Sequence, residues 1–244
     1  MTLPESITLA SLVYIFGVMF ASGLLVGSVG YGMNLIAGPL LILIEPGIVP
    51  GPLLVAGLVI SILMALRERN SIDIWGLKWA LAGRIPASFG AAALLAILPL
   101  ATFKLVFAGL VILAVVLSLS GLRFPHSRTS HIGAGLLSGI MGTIAAIGSP
   151  PVALLYQHDK GSRIRATIGG YGLVSTLTSM LFLAAFGEFS LPEINLSLMI
   201  IPGAVTGFLL SSRFTPILDK GYTRPAVLAT AVLAAVIAVL QTLL

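Results

Sequence analysis

The amino-acid sequence predicts an all-α polytopic membrane protein with an inverted-topology repeat, in which each half is a broken or re-entrant helical hairpin plus three transmembrane helices. Three observations lead to this prediction: the composition, an internal repeat, and the distribution of charge among the loops. Of the 244 residues, 58% are hydrophobic and 9% are charged, whereas a soluble domain carries about 25% charged residues. The chain therefore has too few charges to cover a water-facing surface, and no stretch remains for a soluble catalytic domain.

The internal repeat joins two glycine-rich stretches. Gly23 to Leu43 recurs, 112 positions later and without a gap, at Gly135 to Leu155. Leucine matches mean little in so apolar a chain, but three glycines and a proline coincide as well. These pairs are Gly23 with Gly135, Gly27 with Gly139, Gly30 with Gly142, and Pro39 with Pro151. We interpret the repeat as an internal duplication that is marked by helix-breaking residues.

Apolar runs follow one another along the whole chain. A spanning helix needs about 20 such residues, and runs that meet or exceed this length occupy residues 6–44, 48–66, 75–98, 102–121, 132–156, 166–187, 194–212 and 225–243. We predict that 6–44 and 132–156 are hairpins and that the other six runs are single spans. The two repeats would be 1–122 and 123–244, joined in one membrane domain.

The loop charges predict which ends of these runs face the cytoplasm. Basic residues mark four loops: Arg67 with Arg69, Arg123 with Arg128, Lys160 with Arg163 and Arg165, and Arg213 with Lys220 and Arg224. The positive-inside rule makes these loops cytoplasmic. The other loops hold Glu5, Glu45, Glu188 and Glu193 and should face outward. Both termini are then exterior.

Two of the basic loops are separated by a single apolar run, 132–156, which must therefore return to the side from which it entered. Its break is expected at residues 148–151, because Pro150 and Pro151 interrupt the helical hydrogen bonding. Run 6–44 lies between Glu5 and Glu45 and should turn near Gly27, Gly30, Gly32, Gly38 and Pro39. The two hairpins then enter from opposite faces.

The two hairpin tips are the predicted substrate site. In transporters with inverted repeats, matching Gly/Pro-interrupted segments mark the substrate site, and the N–H groups of half-helix N-termini suit an anion. Candidate substrate-binding residues are Gly30, Tyr31, Gly32, Asn34, Gly142, Thr143, Ser149, Pro150 and, on span 166–187, Tyr171; Ser175, Thr176 and Thr178 are weaker candidates. The glycines of the GxxxG pairs at 23/27, 135/139 and 203/207 are better explained by helix packing. Asn34 either lines a cavity or ties two backbones together, and the hydroxyls can bond to their own backbone.

Arg84 completes the candidate list, because it lies well inside span 75–98. Its guanidinium either binds an oxyanion with two hydrogen bonds or snorkels to the cytoplasmic interface together with Lys78. Neither Asp nor Glu falls inside a predicted span, so a carboxylate proton relay has no carrier. A uniporter, an anion exchanger or a channel-like permease fits this pattern more easily.

Other chemistry is not expected. The chain has no cysteine and no Walker sequence, and we place His126, His131 and His158 in loops without clustered carboxylates. We therefore expect neither an enzyme nor a cofactor nor a bound metal. The excess of basic residues is explained by loop orientation and gives no reason to expect a nucleic-acid partner. The sequence is compatible with a homo-oligomer.

The GLLVGSVGYG opening, its proline-containing continuation and the second copy half a chain later resemble the TauE/SafE sulfite exporter family (TSUP permeases) over nearly the whole chain. Members of that family typically carry G-x-G-G-G at the hairpin tip, whereas residues 30–34 read GYGMN and 142–146 read GTIAA. The resemblance implies transport of a small sulfur-containing anion, such as sulfite, thiosulfate or the organosulfonate sulfoacetate, across a bacterial inner membrane. The alternatives are a different small anion, such as a carboxylate, or a membrane scaffold subunit that does not transport.

Overall fold

The computed structural model describes residues 8–42 and 44–213, and the regular structure of these residues is helical throughout. The helices are α1 (Leu9–Val29), α2 (Met33–Ile42), α3 (Gly51–Glu68), α4 (Ile74–Leu95), α5 (Leu100–Leu119), α6 (Arg128–Ala145), α7 (Ser149–Tyr156), α8 (Gly161–Ala185) and α9 (Leu191–Ser211). Two 3₁₀ turns, Pro46–Ile48 and Arg69–Ser71, accompany them. The predicted span 225–243 lies outside the described residues, as do Glu5, Lys220 and Arg224.

Five of the described helices are long and apolar enough to cross a membrane: α1, α3 with its 3₁₀ extension, α5, α8 and α9. The predicted span 75–98 coincides with α4, which has 22 residues but is not among the five. Lys78 and Arg84 lower the hydropathy of α4, and Arg84 is buried against other helices. The protein is thus an all-helical membrane protein with several spanning helices.

Each predicted hairpin is interrupted once. The first break is at residues 30–32, where Gly30 (φ 106°) and Gly32 (φ 100°) adopt the left-handed conformation that glycine tolerates. The second break is at residues 146–148, where Ala146 adopts a φ of 58°. The sequence-based positions of both breaks need correction, because several residues assigned to the turns lie inside helices.

Proline position explains much of this difference. Pro150 and Pro151 lie in the first turn of α7, where a missing N–H breaks no helical hydrogen bond. They therefore begin a helix, and the break precedes them. In the first hairpin Gly27 belongs to α1, and Gly38 and Pro39 belong to α2.

The GxxxG glycines bring helices into close contact, as the sequence predicts. A Cβ at Gly23 or Gly207 would collide with a backbone carbonyl across the α1–α9 contact, and one at Gly135 or Gly83 would do so across the α4–α6 contact. These helix pairs, together with α3 and α8, have the most extensive contacts among the described helices. The glycines are thus required by approach of backbone to backbone.

The described contacts also give the relative directions of the helices. Along α1 and α9, Gly23 meets Ala204 and then Gly27 meets Phe208, and along α3 and α9, Gly51 meets Glu193 and then Arg67 meets Phe208. Along α4 and α6, Ala80 meets Gly135 and then Arg84 meets Gly139. Along α4 and α8, Asp73 meets Thr167 and then Phe89 meets Phe182. These pairs are parallel. Helices α3 and α8 are antiparallel, because Ser61 meets Gly172 whereas Ala65 meets Gly169. Helices α1, α3 and α9 therefore run in one direction and α4, α6 and α8 in the other.

Ion pairs join the basic loops at one end of the bundle, which we call the basic end. Arg163 lies 3.0 Å from Asp73, and Arg165 lies 2.9 Å from Glu68. Several assignments to loops were wrong. Arg128, Arg163 and Glu193 lie in the first turns of α6, α8 and α9. Arg165 belongs to α8 and is 2% exposed, and His131 belongs to α6 and is fully buried. Both residues have partners inside the protein, Glu68 for Arg165 and Tyr156 for His131. Arg67 and Glu68 are likewise the last residues of α3 rather than loop residues.

Candidate functional site

A cavity of about 70 Å³ lies between the two hairpin tips and is also lined by residues of α3, α4 and α8. One water needs at least about 10–15 Å³ of such space, so the cavity accommodates several waters or a small oxyanion. Non-helical backbone at membrane depth is tolerated where it borders a cavity or is covered by protein. Both breaks meet this condition, since residues of each one line the cavity.

The cavity brings together most of the candidate residues. Its lining includes Gly30, Gly32, Asn34, Arg84, Gly142, Ser149, Pro150 and Tyr171, together with the weaker candidates Ser175 and Thr176. Tyr31 and Thr143 are buried but do not line it. The hydroxyl of Tyr31 bonds to Ser118 on α5, and Thr143 Oγ1 lies 2.8 Å from Ser179 Oγ. Thr178 donates to its own helix at Val174 O (2.7 Å), as hydroxyls in apolar helices often do.

Arg84 projects from the middle of α4 into this region and is 2% exposed, which rules out snorkelling. Its Nη1 donates to the carbonyl and hydroxyl oxygens of Ser138, each at 2.7 Å. Its Nη2 donates to Ser179 Oγ at 2.9 Å and to the carbonyl of Ser175 at 3.3 Å. The guanidinium is therefore fixed by two helices, α6 and α8, that flank the second hairpin tip.

Two glycines and a tyrosine complete the surroundings of this guanidinium. A Cβ at either Gly142 or Gly148 would lie 2.6 Å from Arg84 Nη1, so the guanidinium fits only against bare backbone. The guanidinium carbon lies 5.6 Å from the centroid of the Tyr171 ring, and the Tyr171 hydroxyl donates to Ser138 Oγ at 2.8 Å. Gly142, which the sequence assigned to the site, and Gly148, which it assigned to the hairpin break, both leave space for the arginine.

The charge of the cavity is positive. Arg84 is the only charged residue among the described residues that line it. Its Nε is buried and has no hydrogen-bond partner among the described residues. A buried charge that is not compensated is costly, so an anion in the cavity would neutralise the charge.

Asn34 links the two tips directly. Its Nδ2 donates to the carbonyl oxygen of Ala146 at 2.8 Å, and these residues are 112 positions apart, the spacing of the repeat. The bond therefore joins a residue to its own counterpart in the other hairpin. Asn34 Oδ1 is buried without a partner among the described residues. Asn34 thus both lines the cavity and ties two backbones together.

Sequence reasoning missed the serines that hold Arg84. Ser138 and Ser179 are buried within α6 and α8, and Gly57 and Ser61 of α3 also line the cavity. A serine that hydrogen-bonds to a residue of a neighbouring helix has the same sequence signature as one that bonds to its own backbone. No local pattern could have separated Ser179 from Thr178.

One further cluster was tested as a metal site. Asp73, His126 and His131 each place a ligand-capable atom within 4.8 Å of the others, at the basic end and outside the cavity. The Tyr156 hydroxyl lies 3.1 Å from both His131 Nε2 and Asp73 Oδ2 and bridges them. Two of the three groups are therefore already engaged by hydrogen bonds with Tyr156.

Comparison with known proteins gives one match. A family model described as "Sulfite exporter TauE/SafE" matches residues 15–238, a range that contains every residue of the cavity lining. No curated protein and no solved structure matches the chain.

Proposed function

The chain belongs to the sulfite exporter TauE/SafE family, and from this membership we propose that it is a secondary permease for a small sulfur-containing anion. Sulfite, thiosulfate and a short organosulfonate such as sulfoacetate are the candidate substrates. The family is one of membrane transporters of sulfur anions. The proposed route passes through the cavity between the two hairpin tips, across a bacterial inner membrane.

The observation that carries this proposal is the isolated positive charge of Arg84. Among the described residues the cavity offers this one guanidinium and no carboxylate, so its electrostatic potential favours an anion over a cation. Guanidinium groups bind oxyanions with directed, charge-assisted hydrogen bonds. The volume of about 70 Å³ favours a substrate of a few heavy atoms. Gly30, Gly32, Asn34, Gly142, Ser149, Pro150 and Tyr171 are the proposed wall of the substrate site.

The proposed architecture is an inverted-topology repeat, and contacts of the described helices support it. Helices α1 and α6 are counterparts in the repeat and run in opposite directions. Gly23 of α1 packs on Ala204 of α9, while its counterpart Gly135 of α6 packs on Ala80 of α4. Exchanging the two halves therefore converts the α1–α9 contact into the α6–α4 contact. In transporters with such a relation the site lies near the membrane midplane, at the interface of the repeats, and the proposed site has the same position.

The proposed orientation follows from the basic end. Arg67, Arg163 and Arg165 lie there, while Glu45 and Glu188 lie in loops toward the opposite end and Glu193 lies in the first turn of α9 at that end. The positive-inside rule then puts the basic end in the cytoplasm and both termini on the exterior side.

Flux through proteoliposomes tests the function. Purified protein should release sulfite, thiosulfate or sulfoacetate well above the rate of protein-free liposomes, and acetate should serve as the carboxylate comparison. Replacing Arg84 by Gln removes the charge and should lower flux about 10–100-fold, since hydrogen bonds to charged groups contribute about 1.5–3 kcal/mol. Asn34→Ala should also lower flux, whereas Thr178→Val, which alters only a local bond, should not.

The outcomes separate the alternatives. Acetate flux without sulfur-anion flux would replace the substrate class by carboxylates. Absence of flux for all four anions, from protein that elutes as a folded species, would contradict the permease and favour a scaffold subunit. Undiminished flux in Arg84→Gln would remove Arg84 from the site.

A further inference from the structure

A buried chain of hydrogen bonds runs through the basic end, away from the anion cavity. His131 lies in the first turn of α6 and is fully buried. Its Nδ1 lies 2.8 Å from the carbonyl oxygen of Ser127, and its Nε2 lies 3.1 Å from the hydroxyl of Tyr156, the last residue of α7. The Tyr156 hydroxyl donates to Asp73 Oδ2 at 3.1 Å. Asp73 caps α4, so the chain joins both arms of the second hairpin to α4.

The donors and acceptors of this chain determine the protonation state of His131. The Ser127 carbonyl can only accept, so Nδ1 must carry a hydrogen. The Tyr156 hydroxyl has one hydrogen; when it donates this hydrogen to the carboxylate of Asp73, it can only accept from His131, and Nε2 then carries a hydrogen as well. A histidine with hydrogen on both ring nitrogens is the imidazolium cation. The complete chain therefore exists only when His131 holds a second proton.

We propose that His131 is a buried proton-binding site whose occupancy fastens the α6–α7 hairpin to α4. When the proton leaves, Nε2 becomes an acceptor and the Tyr156 hydroxyl turns toward it. Asp73 then loses that donor, and the link from α7 to α4 is broken. The same hairpin carries Gly142 and Ser149 into the wall of the anion cavity. The α6–α7 hairpin thus connects proton occupancy at the basic end to the cavity. The predicted spans of the polypeptide hold no carboxylate that could carry a proton instead.

Charged and titratable groups from each neighbouring element face this site. From α8, Arg163 Nη2 donates to Asp73 Oδ2 at 3.0 Å. From the loop before α6, the ring of His126 lies 5.6 Å from that of His131, and its Nε2 is 3.8 Å from Asp159. From α4, Trp75 packs edge-on against His131 at 5.3 Å. Two carboxylates, Asp73 and Asp159, thus lie around this site together with one arginine, Arg163, and a second histidine, His126.

Asp73 is suited to its role as the final acceptor. Burial raises the pKa of its carboxyl, but hydrogen bonds from the Gly76 N–H, Tyr156 and Arg163 lower it more, and the net pKa is below the ordinary value. Asp73 is therefore a carboxylate at neutral pH and accepts the hydrogen of Tyr156. A Cβ at Gly76 would lie 2.7 Å from His131 Nε2 and 2.9 Å from Asp73 Oδ2. The hydrogen-bonded groups therefore pack against residue 76 so closely that only glycine fits there.

Nitrogen NMR of the full chain, labelled with ¹⁵N-histidine and held in lipid nanodiscs, tests the protonation state. The signals of His131 are assigned from their loss in His131→Gln. Within the pH range in which the protein stays folded, both ring nitrogens of His131 should reach the protonated resonance position, and at the same pH one of them should be unprotonated in Tyr156→Phe. One unprotonated nitrogen in the unaltered protein, across the pH range in which it stays folded, would overturn the proposal.

Thermal unfolding against pH supplies a second measurement that does not require Tyr156→Phe to fold. A proton that the folded state binds more tightly than the unfolded state stabilises the fold, and this contribution is lost as pH rises. The unfolding midpoint of the unaltered protein should therefore fall on the alkaline side, and His131→Gln should lose this step. His158→Gln, which alters an exposed histidine, is the matched control and should keep it. Retention of the step in His131→Gln would also overturn the proposal. Neither measurement involves anion flux, so its failure would leave the permease proposal standing.

Discussion

At the scale of single residues, the cavity depends on how a guanidinium is held away from water. Both terminal nitrogens of Arg84 donate hydrogen bonds to Ser138, Ser175 and Ser179. The acceptors are hydroxyl or carbonyl oxygens rather than carboxylates. Neutral partners satisfy the donors but leave the charge uncompensated. A carboxylate in their place would neutralise Arg84 and remove the reason for an anion to bind. The serine surroundings therefore preserve the positive potential of the cavity.

Replacing Ser179 by Ala should weaken both folding and anion binding. The change removes one hydrogen bond to a charged group and leaves Thr143 without its neighbouring hydroxyl, at an expected cost of about 1–3 kcal/mol. Thr178→Val, one position away, removes only a bond within α8 and should cost about 0.5 kcal/mol or less. Thermal unfolding and sulfite flux of the two variants measure the difference. Equal effects would show that the bond between Ser179 and Arg84 is unimportant.

Residues also show where sequence reasoning succeeds and where it stops. Asn34 and Arg84 could be predicted as site residues because polar groups in apolar runs need partners. Arg165 and His131 were misassigned because a charge close to a loop is assumed to reach water. Whether it does so depends on a distant residue, Glu68 for Arg165 and Tyr156 for His131. Such pairing is a property of the folded chain and leaves no local sequence signal.

At the scale of elements, the two hairpins have the same order of helices but different lengths. Helix α2 has 10 residues and α7 has 8, and the second break falls at 146–148 rather than at the positions aligned with Gly30 and Gly32. Of the glycines that the repeat revealed, Gly23, Gly27, Gly135 and Gly139 lie in α1 and α6, where close packing requires them, whereas Gly30 lies in the first break. The breaks are marked by left-handed residues and, in the second hairpin alone, by two prolines in the first turn of α7. The repeat therefore predicted helix packing more closely than it predicted the tips.

Adding a methyl group to α6 should have opposite consequences on its two faces. A Cβ at Gly135 would collide with the backbone of Ala80, which cannot move without displacing α4, so Gly135→Ala should destabilise the protein by about 1–3 kcal/mol. A Cβ at Gly133 meets nothing within 4 Å, so Gly133→Ala should be neutral or stabilise the helix by up to about 1 kcal/mol. Unfolding midpoints in the same detergent compare the pair. A stable Gly135→Ala protein would contradict the described contact between α4 and α6.

At the scale of the whole molecule, the loop charges and the contacts between helices lead separately to opposite directions for α1 and α6. Loop charges alone predict that α1 and α6 enter from opposite faces, and side-chain and glycine contacts give these helices opposite directions. The agreement matters because the two arguments share no data. One counts basic residues between apolar runs, while the other follows which residues meet along neighbouring helices. Opposed hairpins bring two breaks to the same level, where the amide of Asn34 reaches the carbonyl of Ala146.

The orientation in the membrane can be tested with single cysteines, because the chain contains none of its own. Asn70 lies at the basic end and Glu188 lies in the loop between α8 and α9, and both are exposed. If the basic end is cytoplasmic, a membrane-impermeant maleimide added to intact cells should label Glu188→Cys and not Asn70→Cys. Opening the membrane should then make Asn70→Cys reactive as well, which controls for a buried thiol. Labelling of Asn70→Cys alone would reverse the orientation, and labelling of both in intact cells would contradict the opposed faces on which the repeat depends.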